Sequence, residues 1–107
     1  MQNTIKKMVT DVKIKHLSYD AGENQYKLVN DTRFSVRFKG KSSIGMLSHL
    51  RPSEILCGQS GVGRLTVISP EVLGDDFLSG GFVDIELAGI VVAECEFKDY
   101  TIEVINL

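Results

Sequence analysis

The sequence predicts an all-β domain in which six to seven short strands close into a small antiparallel β-barrel or sandwich, with one short helical turn. Apolar and polar residues alternate wherever the pattern is clean, turn signals recur about every eight to twelve residues, and no long amphipathic helical stretch is present. The 107 residues, 43% hydrophobic and 24% charged with 10 Gly and 2 Pro, suffice for one core and leave no room for a second. The chain is therefore read as a single domain, 1–107.

Taken in order, Val12 and Ile14 alternate with Lys13 and Lys15, which marks a first half-buried strand with a basic outer face. A Gly-Glu-Asn turn at residues 22–24 should separate it from the next segment. The clearest alternation is Arg33-Phe34-Ser35-Val36-Arg37-Phe38-Lys39, with Phe and Val on one face and Arg, Ser and Lys on the other. Between Lys41 and Gly58 the alternation fails. Ile44, Met46, Leu47 and Leu50 suit an irregular helical turn or a packed loop, ended by Arg51-Pro52. The glycines at 58, 61 and 63 read as a loop that turns tightly before Leu65-Thr66-Val67-Ile68, a buried strand. Ser69-Pro70-Glu71-Val72-Leu73-Gly74 then forms a single helical turn that Ser caps, Pro opens and Gly closes.

A meander completes the chain: Phe82 to Leu87, the Ala88-Gly89 turn, Ile90 to Phe97, and Thr101 to Ile105. Its hairpin register stays open at this point. A two-residue turn places Glu94 on the same face as Val83 and Ile85, whereas a three-residue turn moves it outward.

The net charge of -2 conceals a strong polarity along the chain. Up to Ser53 there are ten Lys and Arg against four acids, a balance of +6; from Glu54 onward there are two against ten, a balance of -8. A single-sign field steers an oppositely charged partner. The alternative is that the halves neighbour each other in one sheet and neutralise through cross-strand pairs.

Candidate chemistry is sparse. Gly58-Gln59-Ser60-Gly61-Val62-Gly63-Arg64-Leu65 has the glycine separation of a phosphate-binding loop, but Arg and Leu stand where Lys and Ser or Thr are required, and a strand follows in place of a helix. His16, His49, Cys57 and Cys95 are scattered singly, without the paired spacing of a zinc site. His16 is in phase with Val12 and Ile14 and fits a partly buried position, while His49 fits a loop. Both cysteines are expected as thiols, because a chain with this much core has no need of a disulfide. A Cys57 nucleophile with His49 as base has no local signature behind it. No catalytic set, metal or cofactor is expected.

Two binding surfaces remain. The acidic meander offers Asp84, Glu86, Glu96 and Glu103 to a basic protein, for example as an inhibitor or immunity-type protein covering a basic toxin such as a nuclease. The basic strand offers Arg33, Arg37 and Lys39 to an RNA backbone, without interleaved aromatics, since Phe34 and Phe38 are in phase with Val36. The sequence favours the protein partner, with RNA as the alternative. No apolar run exceeds about four residues against the ~20 of a membrane span, and charges interrupt Met1 to Lys15, so a cytoplasmic chain with no membrane partner is expected.

From Leu56 onward the order of features resembles the C-terminal β-barrel domains of translation elongation factors of the Tu type. It runs from a Gly turn (Cys57-Gly58-Gln59) through the strand Leu65 to Ile68, Pro70 and Leu78-Ser79-Gly80 to Val83-Asp84-Ile85, then a Gly turn before Val91-Val92-Ala93. The resemblance covers about half of the chain. The family's Gly-Gly-Arg segment is missing from the first half, and Cys57 stands in place of a proline. It implies a closed antiparallel barrel acting as a docking element for RNA or protein, the GTPase activity of those factors residing in a domain that this sequence does not contain.

Overall fold

A single long strand, β1 (Thr4–His16), organises the molecule, because its 13 residues pair with three different neighbours. The computed structural model describes residues 4–17 and 27–106; the turn expected at 22–24 lies outside the described residues. After β1 come β2 (Leu28–Val29), β3 (Arg33–Phe38), β4 (Lys41–Arg51), β5 (Glu54–Ile55), β6 (Ser60–Ile68), β7 (Gly81–Leu87), β8 (Ile90–Phe97) and β9 (Thr101–Asn106). The main sheet runs β6-β4-β3-β7-β8-β1-β9, and an additional β6–β1 pairing closes its first six strands into an antiparallel barrel. β2 and β5 form a separate small pair.

The all-β barrel expected from the alternation is what the chain adopts. Val12, Ile14, Phe34, Val36, Val83, Ile85, Cys95 and Phe97 all point inward and are buried. Six strands leave an interior that side chains alone can fill. Two 3-10 turns, Pro70–Leu73 and Asp75–Ser79, carry the chain from β6 to β7. They set Phe77 between Phe38 and Phe97, with ring centroids 5.6 and 5.1 Å away. Ser69 does occupy the cap position of the first turn, but in left-handed backbone and without a side-chain capping bond.

The stretch expected as a helical turn or packed loop is instead the 11-residue strand β4. Its alternation is hidden because an inward position is Gly45 and an outward one is Ile44, 60% exposed. A Cβ on Gly45 would lie 2.4 Å from Val36 Cγ2 and 2.9 Å from Phe34 Cε1, so the β3 side chains have taken the space. Register then shifts between Ser48 and Arg51, which returns Leu50 to the core. His49 sits in that irregularity with φ 53, inside a strand and not in the loop expected for it.

Gly61 and Gly63 likewise belong to a strand. They lie in β6, where a Cβ would meet Arg51 O at 2.6 Å and Leu50 Cδ2 at 2.7 Å respectively; only Gly58, with φ 83, serves a turn. Close approach of neighbouring strands, not chain reversal, explains these two glycines.

The β7–β8 hairpin resolves its register in a way neither expectation contained. The turn has two residues, Ala88 and Gly89, both at positive φ, and Leu87 pairs with Ile90. One extra residue then enters β8, since Glu86 pairs with Val91 while Ile85 pairs with Ala93. Val92 and Ala93 are both buried, and below them Asp84 faces Glu94. The bulge, not a longer turn, puts Glu94 on the outer wall.

Candidate functional site

The outer wall over β3, β7, β8 and β1 is ordered in rows set by strand register. Across one row lie Arg37, Asp84, Glu94 and Lys15; across the next lie Phe82, Glu96 and Lys13. Phe82 is out of phase with buried Val83 and Ile85 and is therefore thrown outward, 55% exposed. Asp84 follows it on the same face of β7, Glu96 stands directly opposite it on β8, and Glu94 is diagonal to it. An exposed aromatic side chain with three carboxylates around it results. Between this group and β6 runs an open groove of about 390 Å³, lined by Lys13, Lys15, Val62, Phe82, Glu94 and Glu96.

The other acidic positions are placed differently. Glu86 shares the outer face but is engaged: its Oε2 accepts from Arg37 Nη1 at 2.7 Å. Glu103 is not brought to the group at all; it lies on β9 and pairs with Lys7 at 3.3 Å. Among the described residues, Asp84, Glu94 and Glu96 form no ion pair within 4 Å.

The basic strip is interleaved with acids. Arg33 and Arg37 begin and nearly end β3, with Ser35 between them. The hydrogen bond that Arg37 donates to Glu86, then the charge of that carboxylate, raises the Arg37 pKa above its ordinary value, so Arg37 keeps its proton throughout the usable pH range. Lys39, in the turn after β3, bonds Asp76 at 3.1 Å and lies 5.3 Å from the Phe38 ring centroid. Three of the four ion pairs found among the described residues join a cation before Ser53 to an acid after it. The two charged halves are thus neighbours that neutralise each other where these pairs form.

The residues weighed for chemistry are dispersed. His16 is fully buried at the end of β1, with Nδ1 3.2 Å from Leu17 O. The half-buried Cys57 donates Sγ–H to that same carbonyl at 3.2 Å, and Cys95 is buried inside β8; both are free thiols. His49 lines a wider groove of about 680 Å³ with Asp11, Arg51, Arg64, Lys13 and Glu96. There Arg64 Nε approaches Asp11 Oδ1 at 3.8 Å. Among the described residues, no three His, Cys, Asp or Glu side chains are grouped as a metal site. No helix there is long and apolar enough to cross a membrane.

Two members of the Phe82 group escape a reading of the sequence. Phe82 is recognisable by phase, since Phe82, Asp84 and Glu86 alternate with Val83 and Ile85. Glu94 depends on the β8 bulge, which no turn residue signals. No protein-family model matches the chain, and a search of curated proteins found no match.

Proposed function

We propose that the protein is a non-catalytic binding module for a basic protein, received on the outer wall around Phe82. What supports this reading is the arrangement of Phe82 with Asp84, Glu94 and Glu96, three carboxylates that form no ion pair among the described residues. An Arg or Lys side chain of a partner placed over the ring gains a cation–π contact, and the same charge meets three acids at the rim. An aromatic anchor surrounded by polar groups is the usual composition of a protein-binding hot spot. An inhibitor or immunity-type protein that covers a basic enzyme is one form of such a module. The resemblance to translation-factor barrels supports the same general role, docking without chemistry.

The RNA alternative is less favoured by the geometry, since Arg37 and Lys39 are held by Glu86 and Asp76. Titration of the isotopically labelled protein with an Arg-rich peptide, followed by amide NMR shifts, tests the proposal. Shifts concentrated at residues 82–84 and 94–96, and lost in F82A and in E94K/E96K, support it. An absence of shifts there rejects it. Salt-dependent binding of an RNA oligonucleotide that disappears in R33E/R37E supports the alternative instead.

A further inference from the structure

The last strand is the least covered element of the fold. All six residues of β9 are exposed, including Ile102 (38%), Val104 (58%) and Ile105 (38%). β9 pairs only with the first part of β1, from Thr4↔Asn106 to Val9↔Thr101, and among the described residues no strand lies on its other edge. β6 pairs with β1 only from Lys7 onward, and the Ser69 N–H after it donates to Lys6 O at 2.8 Å, so Thr4 and Ile5 with Ile105 and Asn106 form a two-stranded ribbon beyond the barrel wall. A 13-residue strand rises about 43 Å at ~3.3 Å per residue. The molecule is 49 Å long and only 26 Å wide, so β1 runs along nearly its full length.

Two strands alone are marginal in water, and an apolar edge with free amides and carbonyls is a template for a further strand. Natural edges are guarded by charge, proline or a bulge. β9 contains no proline, its pairing with β1 runs without a register shift, and its one charge, Glu103, is neutralised by Lys7 at 3.3 Å.

We infer that β9 is a self-association edge: two copies of this chain pair β9 with β9 antiparallel about a twofold axis at Val104. Residues directly opposed across an antiparallel pair have numbers summing to an even value in a symmetric dimer, because alternate residues face the same edge. An axis at Glu103 would set two carboxylates against each other, which is unfavourable. An axis at Val104 sets valine on valine, Glu103 opposite Ile105 of the second copy, and Ile102 opposite Asn106. Each Glu103 keeps its own Lys7, so the joined edges carry no uncompensated charge. The resulting four-stranded sheet, β1-β9-β9-β1, gives both ribbons the neighbours they lack. The interface is isologous and closes on itself as a dimer.

Sedimentation velocity over a wide concentration range provides the first test. The wild-type chain should rise from monomer to dimer mass and stop there. V104K, which puts two ammonium groups on the axis, should lose the dimer at concentrations where the wild type is mostly dimeric. Because Val104 is exposed, the variant should keep the wild-type circular dichroism spectrum and its binding of the Arg-rich peptide. Oxidative cross-linking in a C57S background gives the register independently of that variant: V104C should form a disulfide-linked dimer and E103C should not. A wild-type chain that stays monomeric throughout, a dimer that survives V104K, or cross-linking through E103C in preference to V104C would each overturn the inference. A monomer that instead binds an unrelated extended peptide along β9 would overturn it too.

Discussion

Asp84 on β7 and Glu94 on β8 occupy one cross-strand position, two carboxylates side by side on the outer wall between Arg37 and Lys15. Like charges directly opposed on a sheet face repel, and the flanking cations offset this only from the outside of the row. Within the chain the pair is a local cost; with a cation placed between them it becomes an attraction. A double-mutant cycle over D84N and E94Q should therefore give an unfavourable coupling of a few tenths of a kcal/mol, diminished by salt. Thermal unfolding at two ionic strengths measures it. A favourable coupling would mean the two acids are already bridged within the folded chain.

The buried Cys95 thiol should weaken the fold at alkaline pH. Burial pushes its pKa up to about 12 from an ordinary 9.0, and the charge of Glu94 adds to the rise. Below 9.0 the thiol is protonated in the folded and unfolded chain alike, and it contributes no pH dependence. Between 9.0 and about 12 the unfolded chain releases a proton that the folded one retains, so stability falls as pH increases. Urea unfolding across this range should show a shallower decline in C95A than in the wild type, apart from a constant offset for the lost side-chain volume. Parallel declines would show that other groups control the alkaline limit.

At Gly45 the space of a side chain is taken by Val36 and Phe34 of β3. An added methyl would fall 2.4 Å from Val36 Cγ2, 2.9 Å from Phe34 Cε1 and 3.3 Å from Thr66 O, all within the packed wall. G45A should lower stability by about 1–3 kcal/mol through overpacking. The urea midpoint should fall with an unchanged slope. A neutral result would mean that Phe34 and Val36 repack freely.

The same glycine explains how much of the fold the sequence disclosed. β3, β7 and β8 were legible because their inward positions are Phe, Val, Ile and Cys, and their outward ones are mostly charged. β4 was not, because Gly45 inside and Ile44 outside invert the ordinary pattern, and the irregularity at His49 breaks its period. β6 is longer than its alternation suggests for a related reason: Gly61 and Gly63 mimic a loop, whereas the space of their missing side chains is filled by Ile55 and Leu50.

For the candidate surface, the outward phase of Asp84, Glu86 and Glu96 was legible, but their counter-charges were not. That Glu86 would meet Arg37, and Glu103 meet Lys7, depends on which strands become neighbours. Such adjacency, between residues 49 and 96 positions apart, is not written in local alternation. It emerges only when β3 pairs with β7 and β1 with β9.

Val92, the supernumerary residue of β8, acts at the level of the protein much as a reading frame acts on a message. Straightening the strand with Val92 retained while the turn stays fixed would pair Ile85 with Val92 and exchange every side chain beyond it, from Ala93 to Phe97, between lining and exterior. Glu94 and Glu96 would enter the core as Cys95 and Phe97 left it. Point substitutions can thus alter this wall one side chain at a time, whereas loss of the bulge with every residue retained would trade interior for surface at one stroke; deletion of Val92 itself would leave Ile85 opposite Ala93 and both faces as they are.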